Sequence, residues 1–235
     1  MKSEKKTIVV LTGAGISQES GLKTFRDEGG LWEGHSIYEV ATPEAFERDP
    51  ETVHRFYNLR RAQLKEVAPN AAHFALKKLE TPDNDVFIIT QNVDDLHERA
   101  GSSQVIHLHG EIRKARSVRN PGLIIPCEDD LTTDSSGPDG ARLRPHIVWF
   151  GEEVPELPRA AEICARADVL LIVGTSLLVY PAAGLWRFAP EEIPVFLVDP
   201  NPSEESARIP NLHIRATKAA DGVPHLVEEL LNSGF

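Results

Sequence analysis

The chain has 235 residues, 41% hydrophobic and 26% charged, the balance of a soluble globular protein able to bury one full core and carry a small insertion. Its net charge of -11 argues against nucleic acid or an anionic membrane as the main partner, and suits a basic, lysine-rich substrate as well as plain solubility. No apolar run approaches the ~20 residues that span a bilayer, Ile8-Val9-Val10-Leu11 is too short for a signal-peptide core, and two cysteines, Cys127 and Cys164, build no disulfide framework, so a cytoplasmic protein is expected.

In chain order, residues 7–11 read as a buried strand, followed by the turn Thr12-Gly13-Ala14-Gly15-Ile16-Ser17. Residues 28–70 are mainly helical in pattern. There Thr42-Pro43-Glu44 has the form of an N-cap, an N1 proline and an acidic first turn, and a longer helix is predicted over 51–67. A helix over 71–80 starts behind Asn70, a strand occupies 86–89, a helix over 93–100 ends at Gly101, and a short strand covers 105–108. From 113 to 145 periodicity fades among Pro121, Gly122, Pro126, Gly137, Pro138, Gly140 and Pro145. Strands return at 147–150, 169–173 and 195–198, with a weaker one at 213–215, and a last helix is predicted over 224–231. Strands alternating with helices predict an α/β fold with a Rossmann-like, mostly parallel sheet covered on both faces. Its body is read as about 1–27, 71–112 and 146–235, and the stretches at about 28–70 and 113–145 as two insertions forming a smaller domain.

Two of these strands end on chemistry. Thr90-Gln91-Asn92-Val93-Asp94 follows strand 86–89, and His109, fifteen residues past Asp94, stands in His107-Leu108-His109-Gly110. Polar residues just past the carboxyl ends of parallel strands line the ligand crevice of open α/β sheets. An amide, a carboxylate and an imidazole there form a candidate catalytic group, and an imidazole titrating near pH 6.5 suits a general base. The glycine-rich turn would let the backbone approach a diphosphate, although Gln18 stands where the third glycine of a dinucleotide fingerprint would be. Taken alone, that turn reads as a nucleotide site or as an ordinary strand–helix connection. Gly174-Thr175-Ser176 ends another strand with small and hydroxyl side chains. Asp199 ends the next, where a carboxylate can hold ribose hydroxyls and disfavours a 2′-phosphate, favouring NAD over NADP.

Gly13-Ala14-Gly15-Ile16-Ser17, the run Gly21-Leu22-Lys23-Thr24-Phe25-Arg26-Asp27-Glu28-Gly29-Gly30-Leu31-Trp32, the Gln91–Asp94 group and His109 together make the chain resemble the sirtuins. These are NAD-dependent protein lysine deacylases, and the resemblance covers essentially the whole chain. It implies NAD as cofactor, acyl-lysine proteins as substrates and a monomer. It also implies a mechanism in which the acyl-lysine carbonyl oxygen attacks C1′ of the nicotinamide ribose, nicotinamide leaves and an alkylimidate forms. His109 would then act as base on a ribose hydroxyl, and hydrolysis would yield free lysine and O-acyl-ADP-ribose. Phe25 would shield the reactive carbon from water, Arg26 would contact phosphate or ribose, and Trp32 belongs to the same loop. Gln91 would position the ribose and His109, Asn92 would order the ribose or a water, and Val93 with Asp94 would hold the nicotinamide carboxamide. Asn201 and Ala219 fall where the family contacts adenosine, and Asp199 stands where an Asn is common. Val148, Phe150, Gly151 and Glu152 resemble the strand on which the family docks substrate by main-chain pairing. His107 receives no role, and His35, His54, His73, His97, His146, His213 and His225 are read as surface or packing residues.

Tyr57 and Arg60, three apart on one predicted helix and so facing one way, resemble the pair in sirtuins that remove succinyl and malonyl groups, with Ala41 as the small residue that makes room. A guanidinium fork and a phenol can bind a terminal carboxylate, whereas an acetyl methyl offers them no partner. Both activities are expected, with negatively charged acyl groups favoured. Residues 113–144 depart from the family's paired zinc cysteines, holding Cys127 alone and no histidine, with Ser117 about where the first zinc cysteine would be. No zinc is therefore expected. A short-chain dehydrogenase would need Tyr-x-x-x-Lys, which none of Tyr38, Tyr57 and Tyr180 begins. Mono-ADP-ribosyl transfer and a non-catalytic NAD-binding module remain open.

Overall fold

The computed structural model describes residues 5–22 and 35–233. The first part of the chain supplies β1 (Lys6–Thr12), α1 (Gly15–Gln18), α2 (Ile37–Val40), α3 (Pro43–Arg48), α4 (Pro50–Glu66), α5 (Ala71–Lys78), β2 (Asn84–Thr90), α6 (Leu96–Arg99) and β3 (Val105–His107). The second part adds β4 (Gly110–Ser117), β5 (Ile124–Pro126), β6 (Leu143–Ile147), α7 (Leu157–Cys164), β7 (Val169–Val173), β8 (Val195–Val198), β9 (Leu212–Arg215) and α8 (Ala219–Ser233). The main sheet has the order β3-β2-β1-β7-β8-β9 and every pairing in it is parallel. The expected α/β, Rossmann-like architecture is what the chain adopts.

Side chains alternate between the two faces of each strand, and both faces are covered, which is why these strands read as unbroken apolar runs. Ile8 and Val10 pack with Ala72 and Leu76 of α5 and Leu226 and Leu230 of α8. Val9 and Leu11 pack on the opposite face with Ile163 of α7 and Leu185. The caps are those the sequence indicates: Thr42 Oγ1 accepts from Ala45 N at 3.1 Å, and Asn70 Oδ1 accepts from Ala72 N at 3.0 Å.

Four expectations are corrected. Residues 113–145, read as irregular, contain most of an antiparallel sheet of order β5-β4-β6. The strand placed at 147–150 instead spans Leu143–Ile147 and ends where that expectation began. The helix placed at 93–100 is confined to Leu96–Arg99, because Val93 O accepts from Ile112 N at 2.9 Å and Asp94 Oδ1 takes Leu96 N at 3.1 Å. The last helix is longer than expected and runs through Pro224. Arg61, 2% exposed, ties the layer together: its Nε donates to Ile112 O at 3.0 Å and its Nη1 to Asn58 Oδ1 at 2.9 Å and Asp129 O at 3.3 Å.

Candidate active site

The sheet order reverses between β1 and β7, so the loops leaving their carboxyl ends diverge and open a crevice. At its floor these loops touch backbone to backbone. A Cβ on Gly174 would lie 2.3 Å from Ile16 N and 2.6 Å from Gly15 C, and one on Gly15 would lie 2.7 Å from Gly174 Cα. Gly174 also has a φ of 60°, which only glycine adopts without strain. The glycines therefore close two strand-end loops on each other.

Ser17, Asn92 and Asp94 form a buried polar chain just above this contact. Asn92 Nδ2 donates to Ser17 Oγ at 3.1 Å, and Ser17 Oγ donates to Asp94 Oδ2 at 3.0 Å. Burial pushes the Asp94 carboxyl above the usual carboxylate range, against the hydrogen bonds from Leu96 N and Ser17. Gln91 Nε2 donates to Thr175 Oγ1 at 3.2 Å and so links the ends of β2 and β7 across β1. The Gln91 carbonyl accepts from His109 Nδ1 at 3.0 Å. A carbonyl only accepts, so Nδ1 carries the hydrogen and Nε2 carries the lone pair of the neutral ring. Burial lowers the His109 pKa from its ordinary value, with the bond to Gln91 opposing, so the ring is neutral at neutral pH. That is the state a general base needs.

Two threonines that end strands complete the support and were not singled out from sequence. Thr90 Oγ1 accepts from Asn92 N at 3.0 Å, and Thr12 Oγ1 meets His97 Nε2 at 3.1 Å. His97 and His73 are fully buried with ring centroids 4.9 Å apart, so the packing role expected for both is what they have. Asp199, 3% exposed, turns its Oδ1 onto Asn201 N at 2.8 Å, Asn201 itself is exposed, and Ala219 starts α8 from a buried position. Ala14 is exposed and Ser176 half-buried beside the glycine contact. Phe25, Arg26 and Trp32 lie outside the described residues.

Several of the residues expected to meet substrate are joined by backbone hydrogen bonds. Phe150 N donates to Ala41 O at 3.0 Å, and Val148 N donates to His109 O at 2.9 Å. The segment after β6 thus runs from the candidate base to the candidate acyl pocket. Glu152 anchors it rather than facing outward: it accepts from Arg144 Nη1 at 2.7 Å, Arg116 Nη2 at 3.0 Å and Trp149 N at 2.8 Å. Phe150 is 45% exposed and Gly151 has a φ of 89°. Tyr57 and Arg60, three apart on α4, differ in burial. Tyr57 is buried against Trp149, whereas Arg60 lines a groove of about 410 Å³ with His35, Phe56, Gln63 and Glu66. Arg60 is still near enough for its charge to favour the ionised Tyr57, although burial dominates and raises that pKa.

Residues 13–181 match the description of the Sir2 family. The chain belongs to the Sir2 family. An NAD-dependent protein deacylase of Helicobacter pylori is 50% identical over 227 residues, which cover 96% of this chain and 96% of that one. A crystal structure of a Sir2 homolog–NAD complex superposes with a TM-score of 0.85 at 38% identity, covering 98% of this chain and 91% of the other. A Sir2 protein with a deacetylated p53 peptide and 3′-O-acetyl ADP-ribose superposes with a TM-score of 0.78 at 30% identity, over 98% and 94% of the two chains.

Proposed function

We propose that this Sir2 protein removes acyl groups from protein lysines with NAD, favouring succinyl and malonyl over acetyl and releasing nicotinamide and O-acyl-ADP-ribose. The observation that carries this reading is His109, held by the Gln91 carbonyl as a neutral ring with its lone pair on Nε2. The donor set around the crevice fits the cofactor. Gln91 and Asn92 offer amides, Ser17, Thr175 and Ser176 hydroxyls, and Asp94 and Asp199 acceptors, over the bare backbone of Gly13, Ala14 and Gly15. Bound NAD would supply an electrophilic ribose carbon with a departing nicotinamide and the hydroxyls to which the acyl group moves. Within the chain, Asp94 and Asn92 orient, Gln91 fixes both the crevice wall and His109, and His109 Nε2 takes a proton from a hydroxyl.

Substrate peptide would lie along Val148, Phe150 and Gly151 by main-chain pairing. Ala41 supports a roomy pocket, and Arg60 and Tyr57 supply a cation and a phenol for a terminal carboxylate. The chain is read as one catalytic domain with two insertions, acting as a cytoplasmic monomer. Its smaller sheet is read as zinc-free. Ser117 Oγ donates to Asp139 Oδ2 at 2.6 Å and accepts from Arg119 N at 3.1 Å, while Cys127 Sγ points to Asp129 O at 3.4 Å, so these donors are committed to internal hydrogen bonds. The test is mass spectrometry of one lysine peptide carrying acetyl or succinyl, incubated with and without NAD. Faster NAD-dependent succinyl loss with O-succinyl-ADP-ribose is expected. Faster acetyl loss would remove the pocket assignment, and no NAD-dependent change would favour ADP-ribosyl transfer or a non-catalytic module.

A further inference from the structure

His107 and His109 hold consecutive carbonyls of one loop. His109 Nδ1 lies 3.0 Å from Gln91 O, and His107 Nδ1 lies 2.9 Å from Asn92 O. Both Nδ1 atoms therefore carry hydrogen. The rings differ at the other nitrogen, because His107 Nε2 sits 2.7 Å from Glu98 Oε1. An ionised carboxylate also only accepts, so His107 carries two N–H groups and is an imidazolium. Its side chain is 7% exposed, whereas that of Glu98 is 40% exposed, so the imidazole is enclosed while its carboxylate partner reaches solvent.

We propose that His107 is a positioning residue for the deacylation: as an imidazolium clamped between the Asn92 carbonyl and the Glu98 carboxylate it fixes the loop 91–94 that holds His109, and loss of its proton sets the alkaline limit of activity. This rests on the reading of His109 as the base. A neutral imidazole has one N–H, so deprotonation sets a lone pair against either the carbonyl or the carboxylate. The charge-assisted bond to Glu98 is the stronger of the two, so the Asn92 carbonyl is the one released. The groups facing His107 are Glu98 and the buried His97 of α6, Asp94 of the loop, and Glu111 of β4, which is itself paired with Lys114 at 2.6 Å. Burial works against the charge on His107, and Glu98, the Asn92 carbonyl and Glu111 outweigh it, leaving its pKa above the ordinary histidine value. Two histidines two residues apart thus hold opposite protonation states over one pH range.

The experiment is kcat/KM against pH on an acylated peptide at saturating NAD, for the unaltered protein, Glu98→Gln and His107→Asn, with thermal melts to confirm folding. Asn places an amide nitrogen where Nδ1 stood and cannot titrate. The acid limb, set by His109, is expected to stay in place in all three. Glu98→Gln should move the alkaline limb down by on the order of one pH unit. His107→Asn should keep activity near neutral pH within about tenfold and lose the alkaline limb. An alkaline limb unmoved in both variants overturns the proposal. His109→Ala separates the two readings: if it retains deacylation, the base assignment falls and this inference with it. If it is inactive while the limb is unmoved in the other variants, only the role of His107 falls.

Discussion

The indole Nε1 of Trp149 donates to the hydroxyl of Tyr57 at 3.0 Å, inside an apolar cluster that also holds Ala41, Phe46 and Phe56. The segment that follows β6 and the helix α4 therefore meet at one polar contact. Burial keeps Tyr57 a phenol, well above its usual pKa. A hydroxyl that accepts from an indole can still donate, and a carboxylate can only accept.

Arg60→Gln should accordingly lower kcat/KM for succinyl and malonyl peptides by about ten- to a hundredfold, the worth of one charged contact at roughly 1.5–3 kcal/mol. Acetyl peptide should change by less than about threefold. Competition between the two peptides followed by mass spectrometry checks this, and an equal loss on both would refute a carboxylate-binding role.

Glu152→Gln should disturb docking of the peptide more than the chemistry. Its carboxylate is shared by Arg144 and Arg116, whose side chains are each 11% exposed, and Arg144 lies 3.3 Å over the Trp149 ring. Burial raises the Glu152 pKa, but Arg144, Trp149 N and Arg116 outweigh it and keep the group ionised. Breaking such a triad should cost about 3–5 kcal/mol. The expected signature is a lower Tm and a raised peptide KM with kcat little changed.

Gly174→Ala should be far more damaging than an ordinary exchange of small residues. The new Cβ would meet backbone at 2.3 Å in a left-handed conformation, so the β1 and β7 loops would separate. A loss of about 1–3 kcal/mol in stability is expected, together with loss of NAD binding, measurable by calorimetry. Unchanged NAD affinity would detach the crevice floor from the cofactor.

Stability should fall as pH drops below about 6.5. Burial holds His54 and His73 neutral with pKa values of about 4, and lowers His97 further in the same direction. The unfolded chain takes up protons from about pH 6.5 downward and the native state does not, so their contribution is full above that pH and is lost on the way to 4. His54 and His73 should each cost roughly 2 kcal/mol by pH 5. His107 acts in the opposite sense, since its raised pKa adds stability at low pH that is lost as pH rises. Urea melts at pH 7.5 and 5.0 decide the balance.

The parallel sheet was legible because β1, β2, β7 and β8 are apolar on both faces, and the gathering of Ser17, Gln91, Asn92, Asp94 and His109 was legible because they follow such runs directly. β4 was not. Its inward positions are Gly110, Ile112, Ala115 and Ser117, mostly too small to mark a period, and its outward ones are charged. β6 hid behind Arg144, which is buried by a counter-charge rather than by apolarity, while Trp149 looked like strand and is buried by Phe46 and Tyr57. His107 was passed over because its partner Glu98 is an ordinary helix residue until α6 folds beside β3.

Arg61 also constrains the order in which the protein can be made. Its acceptors at Ile112 and Asp129 lie 51 and 68 residues further along the chain. While the ribosome is still synthesising that stretch, α4 has emerged with a cation that it cannot yet bury. Arg61 therefore cannot reach its buried, fully bonded state until both insertions are present, and the two insertions acquire that shared cation together.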